Sequence, residues 1–529
     1  MKTDRFQTKL YTMKLRYTVL IQILVLAFIW APFTTAQSVL PENFDQFVEQ
    51  GLNQWDIPGI GIAIVKDGEV ILAQGYGVLK LGEERPVNEH TQFGVASVSK
   101  HITASSLAVL VDEGLLNWND PVQKHIPWFK LSDPWVTENV TIRDLLTHQV
   151  GVGRMLGNRL QFMTNNSRSE LLYRMRYHDF EQPFRSDYVY SNVMYTLAGE
   201  VVAAVTGISW DDFVMQRFFN ELGMNRSNTS ITDLHSDGNA AWPHQYIEGE
   251  VIPINRRNWD VASPAGGVNS TPTDMATWML LQLGVAGTFN GNELISERSM
   301  RDIQTPKVSR PIASSTSEMS AYGFGFNITD YEGYRLLSHG GATDGMNTSY
   351  VLMPDLDFGI IVMTNVFTSF REAIVYTVID HMLGIEDKNW NERYYQNYVN
   401  RYNQVKQLRE EFESARATGT NPTHSLSDYA GKYENDLYGE TSLTVVDGSL
   451  KLSLWDDTIT GTLEHWHHNT FRIIWDNKAK REEFVSFQLN IGGEIEEKII
   501  RFSLRPLMLQ VGAYPSNYYR DVRYIKTDS

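Results

Sequence analysis

Two apolar hairpins, placed far apart in the chain, constrain the fold more than any other feature. Residues 61–65 and 69–73 flank Asp67-Gly68, a dipeptide suited to the positive φ angles of a tight β-turn. Residues 348–353 and 358–364 flank Pro354-Asp355 in a second hairpin of apolar strands. A helical pattern over 44–55, ended by Pro58-Gly59, precedes the first hairpin. Between the hairpins the periodicity is mostly helical, at 102–116, 142–147, 193–205, 211–222 and 274–283. Strands at both ends with helices between predict an α+β fold, an α/β sandwich with one sheet assembled from distant segments and packed against a helical region.

The character of the chain changes further on. Residues 389–417 are polar, aromatic and charged without glycine or proline, which predicts an exposed helix. Residues 418–425 are rich in Thr, Asn, Gly and Pro and read as a linker. Short alternating segments follow at 441–446, 450–455, 471–475, 484–489 and 498–504, predicting a small all-β barrel or sandwich. The expected organisation is a signal segment 1–36, a first domain 37–385, a helical linker 386–424 and a β domain 425–529.

Lys14 and Arg16 precede an apolar run over 17–33 that ends in Thr34-Thr35-Ala36. A basic segment, an apolar core and small residues predict a secretory signal cleaved after Ala36, and so a secreted or periplasmic protein. The alternative for the same run is an uncleaved membrane anchor. The net charge of −17 and the lack of a basic patch argue against a nucleic-acid partner. The absence of cysteine excludes disulfides, thiolate nucleophiles and cysteine-ligated zinc.

Ser97-Val98-Ser99-Lys100 opens a helical pattern, and residues at i and i+3 share a helix face. A serine hydroxyl becomes a nucleophile when a neighbour takes its proton, and a lysine can do so in its neutral form. Tyr190-Ser191-Asn192 offers a phenol and an amide, or merely an N-cap for the next helix. His339-Gly340-Gly341-Ala342, at the start of an expected strand, allows close backbone approach and an oxyanion-binding amide, or simply a turn. His148 reads as a structural helix end whose imidazole meets the last carbonyls. His465 and His467 would share a strand face, but no third ligand accompanies them, so no metal is expected.

Order and spacing unite these clusters. Over residues 40–385 the chain resembles the serine β-lactamase and penicillin-binding-protein superfamily, in its class C-like branch of serine hydrolases and esterases. Ser97 to Lys100 match its Ser-x-x-Lys motif, Tyr190 to Asn192 its Tyr-x-Asn motif, and His339 to Gly341 its third motif. Residues 113–121, 141–148 and 265–274 match further family stretches. The resemblance implies Ser97 as the acyl-forming nucleophile, Lys100 as its activator and Tyr190 as proton shuttle. It implies Asn192 as a contact to the acyl amide, and the amides of Ser97 and Ala342 as oxyanion donors beside Gly340 and Gly341. His339 departs from the usual lysine and is neutral for most of the time near pH 7, which weakens carboxylate anchoring.

Residues 425–529 resemble the lipocalin-like barrel appended to such hydrolases, carried by Tyr429 to Tyr433 and Leu463 to His467. The resulting expectation is an exported serine hydrolase cleaving an ester, amide or peptide bond of a small molecule without any cofactor. A homo-oligomer through the barrel is compatible with it. The alternatives are a β-lactamase or D-Ala-D-Ala carboxypeptidase, and a non-catalytic binding or sensing protein. Loops over 154–185 and 225–258 are expected to shape substrate choice.

Overall fold

The computed structural model describes residues 38–153, 166–247, 249–284, 287–312, 317–343, 345–454, 459–477, 483–502 and 522–527. The expected signal segment 1–36 and the loop portion 154–165 lie outside them. The principal elements before the barrel begin with α1 (Phe44–Gln54), β1 (Gly59–Lys66), β2 (Glu69–Gly77), α2 (Ser99–Asp112), α3 (Asn192–Thr206) and α4 (Pro272–Leu283). They continue with β3 (Val308–Ser309), β4 (Ser320–Tyr322), β5 (Asn327–Tyr331), β6 (Tyr334–Thr343), β7 (Met346–Met353), β8 (Phe358–Thr364), α5 (Phe370–Met382) and α6 (Trp390–Ser414).

The eight strands form one sheet in the order β2-β1-β8-β7-β6-β5-β4-β3, each pair antiparallel. The two expected hairpins thus lie side by side near one edge of the sheet, where Ile60 to Lys66 of β1 pair with Thr364 to Phe358 of β8. Asp67 and Gly68 take φ angles of +52° and +78°, as their tight turn requires. The second turn is longer than its dipeptide suggests, because a 3-10 turn over Pro354–Leu356 is closed by Asp357 at φ +46°.

Strand alternation explains why the central strands are apolar throughout. Ile60, Ile62 and Ile64 face one cluster with Phe44, Val48, Phe370 and Ile374 from α1 and α5. Ala63 and Val65 face the opposite cluster, with Ile102 and Leu107 of α2 and Met275 and Met279 of α4. The sheet is therefore covered on both faces, as the α+β sandwich reading expected. Helix α2 is buried from Ser99 to Leu110, which suits a helix apolar on most sides.

Two local expectations change. The helix expected over 211–222 is a short helix Trp210–Val214 followed by a π turn over Met215–Phe219. Helix α6 is not simply exposed: Tyr395 and Tyr398 pack on Trp55 with ring centroids 5.0 and 5.5 Å away. The Trp390 indole also donates to buried Asp380 at 2.7 Å. Its tyrosines at helical spacing seat it on the first domain.

After α6 and a capped turn at Leu426–Tyr429, the strands β9 (Gly431–Asn435), β10 (Gly439–Val446), β11 (Ser449–Leu454) and β12 (Ile459–His467) begin a closed barrel. Strands β13 (Thr470–Trp475), β14 (Glu483–Leu489), β15 (Ile495–Phe502) and β16 (Val522–Lys526) complete it. Tyr433, Leu443, Leu452, Phe471, Phe487 and Tyr524 are among its buried side chains. A β-bulge between His465 and His467 breaks their alternation, and His465 Nε2 meets His468 O at 2.9 Å. Among the described residues no group of metal-binding side chains occurs, and no single helix is long and apolar enough to cross a membrane.

Candidate active site

Ser97 sits in a 3-10 turn, Ala96–Val98, that leads directly into α2. Ala96 holds φ at +50°, a left-handed conformation rarely taken by a residue with a Cβ. The turn is braced by Ser99 Oγ, which donates to Ala96 O at 2.7 Å and accepts from the Val268 amide at 3.1 Å. Val95 N donates to Val268 O at 2.9 Å on the same side.

One turn into the helix, Lys100 lies on the face of Ser97 and is wholly buried. Its Nζ donates to Asn192 Oδ1 at 2.7 Å and to Ala265 O at 2.5 Å and lies 3.2 Å from Ser97 Oγ. Tyr190 OH donates to Ser97 Oγ at 2.9 Å, so the hydroxyl is in contact with both an amine and a phenol. Asn192 is the first residue of α3, and that helix start delivers its side chain to Lys100. Ser191 occupies the N-cap position without a side-chain capping bond, so the segment is not held by an ordinary cap.

His148 holds it instead. Its Nδ1 accepts from the Ser191 amide at 3.0 Å, and its carbonyl accepts from Val189 N at 2.8 Å. Its ring lies 4.3 Å from that of Tyr190 and 5.1 Å from those of both Tyr195 and Tyr322. A backbone φ of +59° turns the imidazole inward. The expectation that His148 caps its own helix is therefore corrected, because its Nδ1 accepts a hydrogen bond from another segment's amide.

Strand β6 supplies the opposite wall. Its pairing with β5 ends at Ser338, whereas its pairing with β7 continues to Thr343. From His339 through Ala342 one backbone edge of β6 is consequently free of a strand partner. Gly341 lets this edge reach the nucleophile turn, since a Cβ there would lie 2.2 Å from Val95 O. His339 is inside the strand, beyond the start where the sequence suggested it.

The His339 ring is 6.3 Å from that of Tyr190 and is buried. Its Nδ1 contacts Gly340 O at 2.8 Å, and a carbonyl can only accept, so this nitrogen carries the hydrogen. Its Nε2 meets Tyr322 OH at 3.2 Å. Burial pushes the Tyr322 phenol well above its ordinary range, so it keeps its proton. Behind Lys100, burial above all, with His339 nearby, holds His101 well below the ordinary imidazole range. The His101 Nδ1 accepts from Trp278 Nε1 at 3.0 Å.

The structure thus brings Ser97, Lys100, Tyr190 and Asn192 into one hydrogen-bonded group, with His339 to Ala342 alongside. Sequence reasoning singled out neither Tyr322 nor His101 and Trp278. They are ordinary core residue types, and only the meeting of distant segments marks them.

The family described as Beta-lactamase matches residues 44–381, and a domain of unknown function, DUF3471, matches residues 415–511. The unguisins hydrolase ungD' of Aspergillus campestris is 28% identical over 437 residues, spanning 79% of this chain and 78% of its own length. Protein flp of Staphylococcus aureus is 25% identical over 336 residues, spanning 63% of this chain and 65% of its own. Among solved structures, the octameric penicillin-binding protein homologue from Pyrococcus abyssi superposes with a TM-score of 0.58 at 20% identity. That match covers 91% of this chain and 99% of the homologue.

Proposed function

Because the chain belongs to the beta-lactamase family and is a serine hydrolase of that family, we propose that Ser97 is its nucleophile and that the bond cleaved is an ester or an amide of a small molecule or peptide. The observation that carries this reading is the double contact of Ser97 Oγ with Lys100 Nζ at 3.2 Å and Tyr190 OH at 2.9 Å.

Neutral Lys100 takes the Ser97 proton as Oγ attacks the carbonyl carbon. The negative charge that develops on the carbonyl oxygen is met by the amides of Ser97 and Ala342. Tyr190 gives its proton to the leaving atom, and the acyl group stays on Oγ. Water then attacks the acyl carbon, returning a proton to the Tyr190 oxygen. Ser97 departs with the proton held by Lys100, which restores the starting state. Asn192 orients the lysine and is placed to meet an amide in the acyl half.

Histidine in place of the family's lysine at 339 favours esters and peptides over β-lactams, because it supplies no fixed cation for a ring carboxylate. The segment 14–36 supports export. A fluorophosphonate probe is expected to label the wild type and not Ser97→Ala, and undiminished labelling of the variant rejects the nucleophile. Nitrocefin turnover faster than p-nitrophenyl acetate turnover rejects the ranking of substrates.

A further inference from the structure

Tyr190 reaches Ser97 from a segment that is fastened along its length to residues 148–152. Phe180 pairs with Val152, and the amides of Glu181 and Gln182 donate to Gly151 O at 2.8 and 3.4 Å. Arg185 N donates to Gln149 O at 2.8 Å, and Val189 N to His148 O at 2.8 Å. Gly151 permits the close approach, since its φ is +83° and a Cβ would stand 2.2 Å from Gln182 O.

A charged contact reinforces this ladder. Arg185 donates through Nε to Asp144 Oδ1 at 2.8 Å and through Nη2 to Asp144 Oδ2 at 2.7 Å, a fork that fixes direction as well as distance. Asp144 is 2% exposed and belongs to the short helix Ile142–Leu146. Its Oδ2 also accepts from Thr141 N at 2.8 Å and from Thr141 Oγ1 at 2.6 Å, so the carboxylate is itself held in place.

The backbone at Arg185 is unusual. Apart from Asp, Asn and His, the non-glycine residues with a left-handed φ among the described residues are Ala96, Arg185 and Glu332. Glu332 lies in the two-residue turn between β5 and β6. Ala96 immediately precedes Ser97, and Arg185, at φ +61°, stands five residues before Tyr190. Such a conformation persists where the surrounding contacts over-determine it. The Arg185 side chain is 47% exposed, so the pair adds little stability, and the left-handed backbone offsets part of that. What the fork does fix is the path of the chain toward Tyr190.

We propose that Arg185 and Asp144 are a positioning pair for the proton donor, setting where the Tyr190 hydroxyl stands relative to the leaving atom. Both act through the segment 185–190 and not by contact with the substrate. The proposal rests on Tyr190 acting as the proton donor at Ser97.

Benzyl acetate and p-nitrophenyl acetate form the same acyl-enzyme and differ in what the leaving atom needs. The benzyl alkoxide must take a proton to depart, whereas p-nitrophenolate leaves without one. The benzyl-to-nitrophenyl ratio of kcat/KM therefore reads proton donation. Tyr190→Phe is expected to lower that ratio by roughly 10²-fold or more. Arg185→Met keeps the stem without the fork, and Asp144→Asn keeps an acceptor for Thr141 without the charge. Each is expected to lower the ratio by roughly ten-fold. Arg185→Lys, with one charged donor in place of the fork, is expected to recover part of the loss. A ratio within about two-fold of wild type in either Arg185→Met or Asp144→Asn, equal losses with both esters included, overturns the positioning pair and leaves Tyr190 in its role. A wild type inert to benzyl acetate, or an unchanged ratio in Tyr190→Phe, overturns the proton donor and the proposal with it.

Discussion

His148 Nδ1 accepts the backbone amide of Ser191 at 3.0 Å, which ties the end of one helical segment to the residue after the proposed proton donor. The bond stands where a side-chain cap would otherwise start α3. Removing the acceptor leaves a buried amide unmet, at a cost of about 1–3 kcal/mol. His148→Phe keeps the ring but is expected to slow fluorophosphonate labelling of Ser97 by roughly ten-fold or more. His148→Asn, which offers an oxygen acceptor and tolerates a positive φ, is expected to recover much of that rate. Equal labelling by both variants would show that the Ser191 contact does not position Tyr190.

Tyr190→Phe removes one hydroxyl and retains the ring packed on His148 and under Lys100 Nζ. If the hydroxyl handles the leaving-group proton, kcat for an alkyl ester, whose alkoxide needs that proton to depart, drops by about 10²–10⁴ with KM little changed. A fall in KM-dependent terms alone would assign Tyr190 to binding.

Adjacent glycines give a sharp contrast on β6. A Cβ on Gly340 would meet nothing nearer than Thr348 O at 3.8 Å, whereas on Gly341 it would lie 2.2 Å from Val95 O. Gly340→Ala is expected to keep its labelling rate. Gly341→Ala must push the strand from the nucleophile turn, and both labelling and melting temperature are expected to fall. Similar behaviour of the two variants would argue against the close approach.

His244 is buried, and its Nε2 accepts from the Leu81 amide at 3.0 Å while Nδ1 meets Asn365 O at 3.0 Å. Burial pulls its pKa down to about 4. Above pH ~6.5 both folded and unfolded states hold a neutral ring, so the contribution to stability is complete. Between ~6.5 and about 4 the unfolded chain binds the proton and the folded chain does not, so stability declines with falling pH. Urea denaturation of wild type and His244→Gln at pH 7.5 and 5 is expected to show a smaller acid loss in the variant. An identical loss in both assigns the acid sensitivity elsewhere.

Lys498 is buried inside the barrel, beside Thr441 Oγ1 and over the rings of Tyr433 and Tyr524. Burial holds its ammonium well below the ordinary lysine range. The folded state therefore binds the proton less readily than the unfolded chain, and stability is lost as pH falls from ~10.4 toward the folded pKa. Lys498→Met fills the same space without the polar head and is expected to raise barrel stability near neutral pH by about 1–3 kcal/mol. Calorimetry showing a lowered transition would reveal a structural need for the amine.

Local pattern was enough for much of this molecule. Residues 61–65 and 358–364 are apolar without interruption, and such runs have few homes other than a sheet covered twice. Ser97 and Lys100 were legible as a pair because their separation of three residues is converted by α2 itself into shared position on one face. Short alternating segments after residue 425 announced a small β unit, since period two is a local property of strands.

What the tertiary structure decided is the meeting of segments that no local rule connects. Sequence order says nothing of the 2.9 Å between Tyr190 OH and Ser97 Oγ, which depends on α3 packing beside α2. Nor does it show His148 beneath Ser191 or Tyr322 on His339. In each case the residue type is equally at home in any core or loop. Its role comes from burial next to a particular partner, and burial is set by the whole chain at once. The proposed nucleophile could be read from four consecutive residues, whereas its surroundings exist only once the sheet and helices have closed around it.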